Sequence, residues 1–299
     1  IAVVDIRVWL RYSYAIYGAL LTMLIAVEVA GDIGMGAQRW IDLGVIRLQP
    51  SELMKVGLVL ALARYFHGLS EEDVRRVPNL IVPLIMVMTP AVLVLKQPDL
   101  GTALFLIMTG GAVFFVAGVR LWKFAIVLAA AGAAVPIAWS MLRPYQQKRI
   151  FTFLDPETDP LGAGYHILQS KIALGSGGIF GKGFMLGSQS HLNFLPEKQT
   201  DFIFTMLAEE FGMAGGLTLL GLYLLIMIYG VAISLRTRTH YGRLLAMGVT
   251  SMLFLYVFIN IAMVMGLIPV VGVPLPLISY GGTAMLTLMI GLGFLVCAY

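Results

Sequence analysis

The chain has 299 residues, 59% of them hydrophobic and 12% charged, with a formal net charge of +4 and a mean hydropathy of +0.90. Soluble domains carry roughly 45–50% apolar and about 25% charged residues. A soluble globular protein is therefore excluded, and the expected fold is all-α, a polytopic helical membrane protein. The basic balance calls for no nucleic-acid partner, because an excess of cytoplasmic basic residues produces it.

Eight apolar segments follow in chain order, at 10–30, 51–67, 80–96, 100–119, 121–142, 202–235, 244–268 and 278–298. A spanning helix needs about 20 apolar residues; the second and third segments are at the short end. The sixth would be roughly 50 Å long as a straight helix. It contains Gly212, Gly215 and Gly216, so it is expected to bend or to project beyond the bilayer. Residues Ile1 to Trp9 read as the tail of an earlier helix, and with no Met at position 1 and no cleavable signal pattern a preceding part is expected. No internal repeat is evident, which weighs against an inverted-repeat transporter. The lone Cys297 excludes an intrachain disulfide.

Alternating the loops divides the basic residues unevenly. Arg7, Arg11, Arg64, Arg75, Arg76, Arg120, Lys123, Arg236, Arg238 and Arg243 fall on one side, and the short loops of the other hold Arg39, Arg47 and Lys96. The positive-inside rule makes the first side cytoplasmic. Residues 1–299 then form a single integral membrane domain with 143–200 as a large extracytoplasmic loop. Loops longer than about 12–15 residues are usually functional or disordered, and this one holds Phe151, Phe153, Leu154, Ile167, Ile172 and Phe180, enough apolar surface to pack. Short amphipathic helices are expected near 145–154 and 163–174, with Ile167, Leu168, Lys171, Ile172 and Gly175 spaced as one helical face.

The outer side also gathers the residues able to carry chemistry. Thr200 is a candidate helix cap, and Asp201 then falls in the first helical turn, where the helix dipole favours an ionised carboxylate. Such a group at the membrane mouth can act as general base or metal ligand; the plainer reading is an ordinary helix-start aspartate. Glu52 and Lys55, three residues apart on one helix face, must face an aqueous cavity or each other, and a structural ion pair is the alternative. Asp99, with Lys96, repeats the pattern at the fourth segment. Arg39, Arg47, Lys148, Arg149, Lys171, Lys182 and Lys198 accompany them, and arginine and lysine bind phosphate; a solvated loop of mixed charge is the bland account. Three carboxylates at outer helix entrances suggest a polar outer cavity suited to a lipid-linked phosphate or diphosphate. Glu209 and Glu210, two turns further along, must face protein or water and are candidates for binding a cation.

Other motifs carry less. Gly175 to Gly183 fails the Walker A pattern, since Ser176 stands where its first glycine belongs and Gly183 where its Ser/Thr does; turns with close backbone approach explain it better. His67, His166, His191 and His240 form no metal-ligand spacing, and no Gly-x-Ser-x-Gly elbow occurs.

Taken together, several blocks resemble the SEDS family of shape, elongation, division and sporulation proteins. They are Gly36–Gly44, Gln49–Lys55, Gln97–Thr102, Asp155–His166, Gln169–Ala173, Leu195–Phe204, Ala208–Gly212 and Pro274–Gly282. They extend over nearly the whole chain, and Asp155–His166 with Gln169-Ser-Lys171 favours the cell-elongation branch over the division branch. The resemblance implies a ten-span fold of which this chain holds the last eight. It implies polymerisation of peptidoglycan glycan strands from lipid II at the outer leaflet of the bacterial cytoplasmic membrane, with an active site facing the periplasm or cell exterior. The family's essential aspartate falls on Asp201, and its cavity residues on Arg39, Glu52, Lys55, Asp99, Gln146 and Arg149; Lys171 and Lys198 complete the candidate substrate-binding set. A divalent cation, magnesium or manganese, is an option and no organic cofactor is expected. Expected partners are lipid II and the nascent strand, a class B penicillin-binding protein (a transpeptidase), membrane lipids and other elongation proteins. The alternative reading is a lipid II flippase, and a weaker one is a scaffold that recruits the transpeptidase. The outer clustering of the polar groups favours chemistry over transport.

Overall fold

The computed structural model describes residues 1–34, 37–42, 44, 47–141, 144–155, 163–187 and 199–299. In chain order its elements are α1 (Ile6–Ala30), β1 (Asp32–Gly34), β2 (Ala37–Asp42), β3 (Arg47–Leu48), α2 (Pro50–His67), α3 (Glu71–Val74), α4 (Pro78–Lys96), α5 (Leu100–Val116), α6 (Leu121–Met141), α7 (Pro144–Leu154), α8 (Ala163–Ser176), α9 (Ile203–Arg236), α10 (His240–Val264) and α11 (Gly282–Ala298). Each apolar segment contains a helix, and 265–268 and 278–281 lie outside theirs. Among the described residues α1, α4, α9 and α10 are long and apolar enough to cross a membrane by length and composition, and α5, the Leu121–Pro136 stretch of α6 and α11 are apolar but shorter. α2 carries Glu52, Lys55 and Arg64 within its 18 residues. The all-α membrane architecture holds, with a small sheet added.

The chain divides into two compact units, one of Ile1–Arg120, Ile226–Leu255 and Gly281–Tyr299, the other of Leu121–Leu225 and Tyr256–Tyr280. In the first, α2 is buried from Pro50 to Ala63 except at Leu53, with α1, α4, α5 and α11 packed around it. A helix covered on all sides needs no polar stripe. Edge-to-face aromatic pairs, Trp9 with Phe294 at 4.9 Å and Phe66 with Phe114 at 5.2 Å, lock its neighbours. Strands β1, β2 and β3 form an antiparallel sheet in that order, pairing Ile41 with Leu48 and Asp42 with Arg47. Strands of two to six residues leave too little alternation to read from sequence.

In the second unit, α7 and α8 lie where short helices are expected. The buried stripe of α8 differs from expectation. It runs through Gly164, Ile167, Ser170 and Ala173, whereas Lys171, Ile172 and Gly175 are exposed. Small residues win the interface because they allow close approach, and the Ser170 hydroxyl donates to the Val264 carbonyl at 2.8 Å and pairs with Thr205 Oγ1 at 2.9 Å.

The bend expected in the sixth segment occurs at Gly212, whose φ of 67° and ψ of −164° interrupt α9. Such a conformation is essentially restricted to glycine. The glycine-rich segment 177–183 fills the break: Lys182 and Gly183 N–H donate to the Glu209 and Glu210 carbonyls, and Met213 and Ala214 N–H donate to those of Gly178 and Ile179, all at 2.9–3.0 Å. The close backbone approach read from the Gly175–Gly183 run is thus realised.

Candidate active site

Two polar clusters stand at the helix entrances of the first unit. Glu52 lies in the first turn of α2, and Lys55 Nζ is 2.6 Å from its Oε1. Lys55 is 1% exposed and also sits 4.4 Å from the centre of the Phe105 ring. Asp99 caps α5, accepting from Thr102 N at 3.0 Å and from Thr102 Oγ1 at 3.0 Å. Strand β2 carries Arg39 to the same turn: its guanidinium donates to the carbonyls of Gln97 (3.2 Å) and Pro98 (2.7 Å) and lies 3.6 Å from Asp99 Oδ2. Asp99 therefore pairs with Arg39, and Lys96 stands 3.9 Å from Glu28 instead.

In the second unit, Asp201 lies in the turn 199–202 just ahead of α9, which begins at Ile203. The helix starts later than expected, and Asp201 stands two residues before it. Three consecutive carbonyls of this turn are held. Gln199 O accepts from Tyr280 N at 2.8 Å, Thr200 O from Ser279 Oγ at 2.6 Å, and Asp201 O from Asn260 Nδ2 at 2.9 Å. The carboxylate is half-buried beside Gly272, a residue with φ of 74° whose replacement by any side chain would place a Cβ 3.3 Å from Asp201 Oδ2. A backbone turned this way suits glycine and leaves room beside the acid.

Gln146 is half-buried in α7. Lys171 is exposed on α8, its stem against Gly266. Lys182 pairs with the fully buried Glu209 at 2.7 Å. Lys148 is exposed, and Arg47 is exposed 3.4 Å from Asp42. The Arg149 side chain, Lys198 and the rest of 188–198 lie outside the described residues. Sequence reasoning misses Asn260 and Gly272 and gives Ser279, inside the Pro274–Gly282 block, no role of its own; an asparagine within an apolar span is the available signal for Asn260. A cavity of about 420 Å³ opens at other helix ends of the first unit, lined by Leu69, Arg75, Val116, Leu235, His240 and Arg243 among others. None of the candidate residues lines it. Among the described residues no three His, Cys, Asp or Glu side chains converge on a metal position. Magnesium needs no such cage, since one or two carboxylates and substrate phosphates are its usual ligands, and Asp201 fits that pattern.

A family model described as cell cycle protein, covering FtsW, RodA and SpoVE, matches residues 1–298. The chain belongs to this family. It is 49% identical over 293 residues to the peptidoglycan glycosyltransferase MrdB of Escherichia coli K12, covering 96% of this chain and 77% of that protein. It is 33% identical to the peptidoglycan glycosyltransferase RodA of Treponema pallidum, covering 94% and 81%. Among solved structures, a chain described in terms of the coordination of polymerization and crosslinking by a peptidoglycan synthase complex superposes with a TM-score of 0.86 at 34% identity, covering 99% of this chain and 83% of that one. The rod shape determining protein RodA of Thermus thermophilus gives 0.71 at 30% identity, covering 99% and 80%. The SEDS resemblance and the multi-pass membrane fold are thereby established, and the family's elongation members stand among its relatives.

Proposed function

We propose that this chain is a glycan-strand polymerase, an inverting peptidoglycan glycosyltransferase that uses lipid II at the outer leaflet during cell elongation. The observation that carries the reading is Asp201, a half-buried carboxylate on a turn held by three hydrogen bonds at the head of a membrane helix, in a chain 49% identical to a named peptidoglycan glycosyltransferase.

In this mechanism Asp201 takes the proton from the GlcNAc 4-hydroxyl of the acceptor lipid II as that oxygen bonds to C1 of the MurNAc at the reducing end of the growing strand. The bond from C1 to undecaprenyl diphosphate breaks, and its electron pair leaves with the diphosphate. Attack from the opposite face turns the α-linkage into a β-linkage. A positioned base contributes typically about 10²–10⁴-fold. Basic groups meet the charge that develops on the diphosphate; the candidates are Arg39, Lys55, Arg149, Lys171 and Lys198, with Gln146 as a polar contact. Of these, Lys55 is already bonded to Glu52 and covered, which supports a scaffolding role for that pair, and Asp99 likewise steadies Arg39. A magnesium or manganese ion, held by Asp201, would supply Lewis-acid polarisation of the acceptor hydroxyl.

The proposal places the protein in the bacterial cytoplasmic membrane with Asp201 facing outward. A class B penicillin-binding protein is the proposed partner, supported by the likeness to the synthase complex that couples polymerization and crosslinking. The test is lipid II polymerisation by the purified protein with its cognate transpeptidase. Asp201→Asn is expected to cut strand formation about 10²–10⁴-fold while folding and partner binding persist; equal strand formation would remove Asp201 from the mechanism. Loss of strands in EDTA with recovery on added magnesium is the expected sign of the metal.

A further inference from the structure

The turn bearing Asp201 is gripped by side chains that the mechanism does not use. We infer that Asn260 and Ser279 are positioning residues for Asp201, fixing the backbone of residues 199–201 and through it the direction of the carboxylate. The inference rests on reading Asp201 as the general base.

Asn260 is 0% exposed within apolar α10, and both its amide hydrogens are committed: Nδ2 donates to the Asp201 carbonyl at 2.9 Å and to the Val273 carbonyl at 2.7 Å. Two carbonyl acceptors fix the orientation of the amide, because the flipped group would set oxygen against oxygen. Its Oδ1 is buried with no hydrogen-bond partner among the described residues. A buried polar group left in that state calls for an explanation; leucine would pack in the same helix and bring no such acceptor. The amide's contribution is the bridge made by Nδ2, which ties the turn before α9 to the segment after α10.

Ser279 works from that segment. Its Oγ donates to the Thr200 carbonyl at 2.6 Å and accepts from Leu275 N at 2.7 Å. The Tyr280 N–H supplies the third bond, to Gln199. The segment is itself anchored, since the Tyr223 hydroxyl donates to the Pro276 carbonyl and Val271 N–H reaches Met263 Sδ at 3.4 Å. The three hydrogen bonds to residues 199–201 end on main-chain oxygens, so they set the dihedral angles of the residues that present the acid. Geometry matters steeply here, because a displacement of about 1 Å can cost about 10²-fold in rate.

The experiment measures kcat and KM for lipid II on the full chain with its transpeptidase, alongside unfolding midpoint and partner binding. The variants are Asn260→Leu, Ser279→Ala and Ser279→Thr, with Asp201→Asn as reference. Asn260→Leu and Ser279→Ala are expected to lower kcat about 10–100-fold with KM little changed, and Ser279→Thr, which keeps the hydroxyl, to retain most of the rate. Wild-type kcat in both variants beside a silent Asp201→Asn would overturn the inference and leave the polymerase reading standing. An active Asp201→Asn would overturn the reading beneath it. A kcat loss in Ser279→Ala that Ser279→Thr shares, accompanied by a lower unfolding midpoint, would reduce Ser279 to a structural role and overturn the inference for it. Should Asn260→Leu fail to fold, the Ser279 pair alone decides the matter.

Discussion

Lys55 illustrates how a single side chain constrains the fold. Its ammonium is buried in the first unit, neutralised by Glu52 and seated over Phe105. Removing one member of a buried ion pair typically costs about 3–5 kcal/mol, whereas replacing both by apolar groups is often neutral. Lys55→Met is therefore expected to lower the thermal unfolding midpoint steeply, and Glu52→Leu combined with Lys55→Met to recover most of the loss, measured in one detergent for all variants. A double variant as unstable as the single would mean that the pair holds more than α2 and α5. Sequence spacing offered this pair as one of two readings beside a shared aqueous cavity, because positions three apart on a helix are neighbours, and spacing alone does not choose between them. Arg39 was less legible: its bonds end mainly on the carbonyls of Gln97 and Pro98, and a main-chain acceptor leaves no mark in the residue types it uses.

At the scale of elements the apolar runs were readable because a membrane helix must satisfy its own backbone and expose only apolar side chains to lipid. The bend in α9 was readable too, from excess length and a glycine cluster. The face of α8 was not, since packing there is decided by Ser170 and two small neighbours, and hydrophobic spacing pointed to Ile172 instead. The grip on Asp201 was hidden for the same reason as that of Arg39, with Asn260 and Ser279 bonded to backbone oxygens. The break at Gly212 gives a direct prediction. A side chain there would be strained by about 1–3 kcal/mol, and its Cβ would come within 2.6 Å of the Ile179 carbonyl oxygen. Gly212→Ala is expected to lower the unfolding midpoint, whereas Gly221→Ala, at a site with open space, should leave it unchanged or raise it slightly; melting curves of the two proteins check this.

For the whole molecule, the uneven distribution of arginine and lysine carries the proposed orientation, and labelling can test it. Cys297 is the chain's one cysteine, so Cys297→Ser gives a clean background. With a membrane-impermeant maleimide on cells whose outer barrier is open, Asp42→Cys is expected to react and Arg238→Cys to stay unlabelled until the membrane is broken. Both positions are exposed in the structure, so burial would not mimic sidedness. The reverse pattern would turn Asp201 away from the outer leaflet and remove lipid II polymerisation there from consideration.

The glycine-rich segment seated in the break of α9 has a consequence for which substitutions the chain can accept. Residues that begin a helical rod normally tolerate proline, because their N–H groups have no intrahelical partner. Met213 and Ala214 begin the rod beyond Gly212, yet their N–H groups are taken by Gly178 and Ile179. The permission for proline that a helix start usually carries is withdrawn at these two positions. A saturation library selected for growth as rods would register this as a proline-specific gap at 213 and 214, with other apolar residues accepted at both.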